Sequence, residues 1–587
     1  MKKMDKKTAK RLLTGALAGI MLFGTVACGE TETPPDENFG ATNPYELKVF
    51  NFGGGYGREW LDTAIRRYKQ ERAGKEFTIN GVTYDGVTFD IDPAKKTLAG
   101  MTQTGVKYDI WFHESVYYYQ LLNMGFLAPM TEVLTTPNPY ESGKTLESKL
   151  TEEQIKYYKV DTDQDGVGDT YYGIPHYAAY FGINYNKYMF DENGWYFKDG
   201  YVDADLDDDE NFVFCFTKEE SKRSKGPDGK KGTYDDGLPT TYREFYALCD
   251  LISATNKPVA WAGKYRGSYM NWFLNSMAAA NEGAEQMALN YSFNGTAKNL
   301  IDVDATTGEI TELDDVNIDG PNNGYMLAKQ KGKYDALSFL ETIIDNNWYT
   351  DLSVDQNNEQ TTAQADFILG TSDLSQRAPM LLDGVWWEME AASNFNTIQQ
   401  ATGRNDKNRY AFMPFPAPTQ EEADRRAAAG ANNEKYYTLL ETNNAMCFLG
   451  SSIDDAERWL AIDFIQFINT DYSLAEFTKI TDTTKALNYT ISDDAKKELS
   501  MYGRSLVTLQ ENADIVSSFS YEAFYLQNEA SVNDYYYKYS AKYTPDEGAV
   551  SVPVDEFRAG ISAAKFFNGL YNYDYARWKT LAGSNVK

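Results

Sequence analysis

Histidine, cysteine and positive charge are all scarce in this chain. Only His113 and His176 occur in 587 residues, too few imidazoles for a metal centre built on several of them. The four cysteines are Cys28, Cys215, Cys249 and Cys447. With Cys28 set aside, the other three are odd in number and fit neither a zinc site nor a disulfide framework, so they read as small buried apolar residues. Against 86 Asp and Glu stand 56 Lys and Arg, a formal charge of -30 that repels nucleic acid and anionic lipid and excludes both as partners. After the first 26 residues no apolar run is long enough to span a bilayer. A dinucleotide fingerprint is also absent: Gly53-Gly-Gly-Tyr-Gly57 is followed by Arg58 where its third glycine belongs, and no Gly-Lys-Ser/Thr follows.

At the amino terminus, six basic residues between Lys2 and Arg11 precede an apolar run from Leu12 to Val26. A basic start, a core shorter than the ~20 residues of a span, and small residues before a cut site predict an export signal over 1–27. Cys28, preceded by Thr25-Val26-Ala27 and followed by Gly29, resembles a bacterial lipobox with Thr25 in place of the usual Leu. That resemblance implies acylation of Cys28, by diacylglycerol and palmitate, and tethering at the extracellular face of the cell membrane. Residues 28–44, rich in Thr, Pro, Glu and Asp, read as a flexible stalk.

The mature chain suits two lobes of ordinary domain size. From Glu46 it reads as strand, glycine loop and helix, with Leu61, Ile65 and Tyr68 at core-facing helical spacing. Strands at 87–92 and 108–114 follow, and alternation of strands with helices predicts a mostly parallel α/β sheet with ligands at the carboxyl ends of its strands. Tyr56, Trp111, His113 and Glu114 are expected on that rim. Tyr172 to Asn186, broken by Gly173, Pro175 and Gly182, is expected to leave one lobe and enter another, and the proline-punctuated stretch Arg409–Pro418 to return. Between them, Trp272 belongs to a helix, and Arg377–Glu390 holds a strand ending at Gly384 followed by Trp386, Trp387 and Glu388. Two adjacent tryptophans point different ways, so at least one leaves the core, where an indole face can stack on a sugar and Glu388 can accept from hydroxyls. The expected lobes are 45–176 with 419–487, and 177–418 with 488–587.

Asp161, Asp163, Asp165, Gly166, Val167 and Asp169 match the first nine positions of an EF-hand-type loop, with Val167 giving its carbonyl. The usual bidentate Glu at position 12 is Tyr172, so either a structural calcium or a solvated acidic turn fits. Gly226–Gly237 is a second, less regular acidic loop.

Taken in order, the lipobox, Tyr-Gly-Ile-Pro with Phe-Gly-Ile-Asn-Tyr-Asn-Lys, Ala-Pro-Met through Gly-Val-Trp-Trp-Glu, Met-Pro-Phe-Pro, the helix after Asp454 and Thr481–Leu487 resemble the family 1 extracellular solute-binding proteins of ABC importers. That group includes the maltose-binding protein. The resemblance covers nearly all the mature chain, and the inserts at 161–169, 200–237 and 281–320 depart from the plain pattern. It implies a hinged, two-lobed periplasmic-binding-protein-like fold (type II) with discontinuous lobes, acting as a monomer without chemistry. It further implies that the lobes close on a carbohydrate and deliver it to an ABC permease. Carried over by position, the ligand set is Tyr56, Trp111, His113, Glu114, Tyr177, Trp272, Trp386, Trp387 and Glu388. A calcium-dependent surface glycan-binding adhesin and a secreted glycoside hydrolase are the alternatives; for the latter no carboxylate pair is singled out by its setting.

Overall fold

The computed structural model describes residues 39–94, 100–102, 105–114, 118–162, 167–199, 214–369, 377–403, 407–441, 445–519 and 538–582. Cys28, Asp163, Asp165 and Gly166 lie outside them.

In chain order the elements that build the site are β1 (Pro44–Asn51), α1 (Glu59–Arg72), β2 (Gly86–Asp92), β3 (Ile110–His113), β4 (Leu127–Ala128) and β5 (Ile174–Pro175). After a crossing come β6 (Phe181–Asn186), α2 (Tyr242–Ser253), β7 (Val259–Ala260), α3 (Arg266–Ser292), α4 (Gln360–Leu369), β8 (Met380–Gly384), β9 (Tyr410–Met413) and α5 (Gln420–Ala431). The chain then runs through β10 (Tyr437–Glu441), β11 (Met446–Gly450), α6 (Arg458–Ile468), α7 (Asp471–Thr481), α8 (Met501–Glu511), β12 (Ala513–Ser517) and α9 (Ala563–Ala582).

Two separate sheets make two α/β lobes. The first has the order β2-β1-β3-β11-β4, with β5 also beside β11. β1 runs parallel to β2 and β3, and the late strand β11 enters antiparallel to β3. α1 covers one face, burying Trp60, Leu61, Ala64, Ile65 and Tyr68 at the spacing its sequence predicts, each large side chain adding about 1.5–3 kcal/mol. The second sheet has the order β7-β8-β6-β9. In its central strand, a Cβ at Gly182 would meet the Phe412 ring at 2.3 Å, so the glycine is what lets β9 pack closely there.

Among the described residues the lobes are joined three times. The first crossing, from β5 to β6, lies where the sequence places it; the His176 N–H donates to Ala445 O at 3.1 Å and the Ala178 N–H to Thr484 O at 3.0 Å. These bonds tie the first crossing to the other two. The return is later than expected. Arg409–Pro418 does not cross: β9 pairs with β6 inside the second sheet, and Arg426 of α5 donates to the carbonyls of Phe415 and Ala280 in that same lobe. Residues 419–436 therefore belong to the second lobe, and β10, paired in parallel with β12, leads back to β11. The third crossing follows α7; by α8 the chain is in the second lobe, where the Phe412 N–H donates to Ser505 Oγ at 2.9 Å. α9 packs on the same lobe, with Trp578 against Phe293 and Tyr575 against Tyr325.

Smaller expectations fare unevenly. At α2, Thr241 caps the helix by accepting from the Glu244 N–H, and the Glu244 carboxylate accepts from the Thr240 N–H and hydroxyl. Cys249 and Cys447 are buried free thiols and Cys215 is free and half-buried. Among the described residues no helix is long and apolar enough to cross a membrane.

Candidate binding cleft

The first crossing sets the geometry. Its side chains alternate, so Tyr177 and Phe181 face one side of the hinge while Ala178 and Tyr180 face the other.

The first-lobe rim begins where β1 ends. The loop after Asn51 turns through Gly55, whose φ of +58° favours glycine, and brings Tyr56 back onto the crossing. The Tyr56 hydroxyl donates to Ala178 O at 3.1 Å, and its ring meets Tyr177 edge-on at 4.1 Å. Glu114, just past β3, reaches the same place: its Oε1 lies 3.2 Å from where a Gly55 Cβ would stand, and it hydrogen-bonds Tyr177. Burial, then the nearby Glu114, hold the Tyr177 hydroxyl far above its ordinary value, so it stays protonated and donates. Tyr56, Glu114 and Tyr177 thus line one small cavity with Asn51, Trp60 and His176.

The second-lobe wall rises from the end of β8. Gly384 leaves room for the Trp386 indole, whose ring atoms lie 2.2–2.3 Å from the missing Cβ. Half-buried Trp386 stands edge-to-face on Trp272 at 5.7 Å and near Phe181 at 6.4 Å. Tyr269 backs the group: it packs on Phe181 and Trp272, and its hydroxyl bonds both Trp386 and Asp383. Asp383 accepts from Gln364 Nε2 at 3.1 Å and from the Gly384 N–H at 2.7 Å. Glu390 accepts from the same Gln364 Nε2 at 2.8 Å and from Gln360 at 3.3 Å. Burial first and Glu390 second push the Asp383 carboxyl well above the usual carboxylate range. The charge of Glu390 is also felt at Tyr177, so the wall and the rim lie near each other at the hinge.

Four expected ligand residues, Trp111, His113, Trp387 and Glu388, lie in packed interior. Trp111 is 1% exposed, stacked on Phe448 at 5.6 Å, and its Nε1–H donates to Tyr108 O. His113 packs on Phe50 and Trp111, its Nδ1 against Glu114 O. Both sheet faces are covered here, so only Glu114, beyond the strand end, reaches the rim. Trp387 is fully buried among Phe367, Tyr410 and Tyr502, turned inward as Trp386 turns outward. Glu388 is 1% exposed and accepts from Ser500 Oγ at 3.3 Å, behind the wall. Phe181, Tyr269, Asp383 and Glu390 complete the wall without a motif that marks them; an acid before Gly384 and another after Trp386 are the local signal.

In the acidic loop, Asp169 accepts from Thr162, Val167 is exposed, and Asp161 is half-exposed. In the second loop Asp228, Asp235 and Asp236 are buried; burial and then Asp228 push the Asp235 carboxyl up to about 7. Among the described residues no three ligating side chains are grouped to hold a metal ion.

No family model matches the chain, and no curated protein matches it. Among solved structures, a chitin oligosaccharide binding protein aligns at 14% identity and a TM-score of 0.49, covering 92% of this chain and 99% of its own. Apo RafE from Streptococcus pneumoniae aligns at 11% and 0.48 over 91% and 98%. The maltose-maltodextrin binding protein of Alicyclobacillus acidocaldarius aligns at 12% and 0.46 over 90% and 99%. The two-lobed architecture stands on the sheet order and the three crossings themselves.

Proposed function

We propose that this chain is the solute-binding receptor of an ABC importer, capturing a carbohydrate in the cleft between its lobes and handing it to a permease. The observation that carries the proposal is the pairing of two unlike walls at a hinge. One offers Glu114 and Tyr177 as polar contacts, and the other presents the Trp386 indole braced by Trp272 and Tyr269. An aromatic face matches the C–H face of a sugar ring, while carboxylates and hydroxyls match its edge, and pockets favour such lobe interfaces. Hinge closure over the guest excludes water and strengthens those bonds. The lipid on Cys28 would hold the receptor at the extracellular face of the membrane beside its permease.

Binding without turnover is the better reading, because Asp383 and Glu388 are each 1% exposed and lie behind the aromatic wall. Titration calorimetry with a panel of oligosaccharides tests the proposal, with reducing-end detection on the same mixtures. A sugar that binds, stays intact, and binds at least tenfold more weakly to Trp386→Ala supports it. Liberated reducing ends, or equal affinity in the variant, defeat it.

A further inference from the structure

Behind the first crossing, on the side to which Ala178 and Tyr180 point, lies a groove of about 1000 Å³. It runs between Gln154 of the first lobe and Ala284 and Ala288 of α3 in the second. Glu441, the last residue of β10, lines it at 6% exposure. Among the described residues this carboxyl meets neither a hydrogen-bond donor nor a cation, and burial alone pushes it up to about 8. The lysines of the groove are committed elsewhere. Lys144 and Lys149 pair with Asp471, Lys435 pairs with Asp514, and the Lys485 Nζ lies over the rings of Trp60 and Phe477. The hydroxyls of Tyr180 and Tyr56 feel the charge of Glu441 but do not bond it.

A buried carboxyl facing open volume without a partner is a site waiting for a donor. We propose that the rear groove is a second ligand site, taking a small organic amine whose ammonium pairs with Glu441. An ammonium fits better than a polyol, since a cation lets Glu441 ionise and form a charge-assisted bond, whereas a hydroxyl meets only the neutral acid. A bare metal ion lacks further ligating groups here. Apolar surface from Ala284, Ala288 and Ile515 would cover the alkyl part of the amine. The site is separated from the front cleft by the crossing strand and does not depend on what the cleft binds.

The test is calorimetry of the mature chain with 1,4-diaminobutane and its neutral isostere 1,4-butanediol, at pH 7 in two buffers of different ionisation enthalpy. The diamine should bind at least tenfold more tightly than the diol. It should release up to one proton per molecule bound, because Glu441 gives up its proton to pair. Glu441→Gln should lose both the tenfold preference and the proton release. Ala288→Phe, on the half-buried face of α3, fills the groove without touching Glu441 and should also weaken diamine binding at least tenfold. Failure of the diamine to bind, equal binding of diamine and diol, or wild-type binding by both variants would overturn the proposal.

Discussion

Replacing Gly384 by alanine probes the second-lobe wall through a single methyl group. The new Cβ would stand 2.2 Å from Cη2 and 2.3 Å from Cζ2 and Cζ3 of Trp386. Ordinary carbon contacts lie at about 3.5–4.0 Å, so the indole has to retreat by more than about 1 Å. The atoms struck are the far edge of a half-buried ring, and rotation of the side chain relieves the clash. The stability cost therefore falls at the low end of overpacking, about 1 kcal/mol. Ligand affinity should fall tenfold or more, about 1.4 kcal/mol, because the stacking surface has moved. A double-mutant cycle isolates the cause: with Trp386→Ala already in place, Gly384→Ala should cost nothing further in affinity. Calorimetry with the tightest-binding sugar of the panel measures all four proteins, and urea unfolding checks that each is folded. An equal loss from Gly384→Ala with and without Trp386, or no loss at all, would refute the argument that this ring is the contact surface.

Other outcomes follow from the same geometry. Trp387→Ala removes a fully buried ring and should cost about 3–5 kcal/mol in urea unfolding, far more than Trp386→Ala. Tyr56→Phe breaks the bond to Ala178 O and should destabilise the chain by about 1 kcal/mol; an unchanged unfolding midpoint would show that this contact does not tie the rim to the hinge. Glu441 is raised to about 8 in the folded chain, so its contribution is fully present below the unfolded value and is lost as pH rises through about 8. In amine-free protein, Glu441→Gln should therefore gain on wild type by a few kcal/mol between about pH 5 and pH 9, and parallel pH–stability curves would contradict this. For the Asp161–Asp169 loop we extend the proposal to calcium: a hundredfold excess over Kd should stabilise by about 2.7 kcal/mol, and Asp161→Ala should abolish the effect. Melting curves that coincide with calcium and with chelator would remove that site.

Much of the architecture was legible because it is written in local signals. Leu61, Ile65 and Tyr68 announce the buried face of α1, and Gly173, Pro175 and Gly182 bracket an apolar segment that does cross between lobes. Trp386 and Trp387, adjacent in sequence, do point different ways, one half-buried on the wall and the other in the core. What stayed hidden depends on partners distant in sequence. Arg409–Pro418 reads as a strap, yet the prolines follow β9 and do not interrupt it, and only pairing with β6 reveals a sheet strand. Trp111 and His113 sit on a strand covered on both faces, where no alternation distinguishes rim from core. The bonds from Tyr269 to Asp383 and from Gln364 to both Asp383 and Glu390 join separate elements, and nothing in their spacing announces them.

Closure of the two lobes over a guest changes the shape of the whole molecule, so small-angle scattering of the mature chain reads it. The sugar that saturates the protein by calorimetry should reduce its radius of gyration, and Trp386→Ala should need correspondingly more sugar for the same contraction. Identical scattering profiles with and without that sugar, at concentrations where calorimetry shows the site full, would contradict the account.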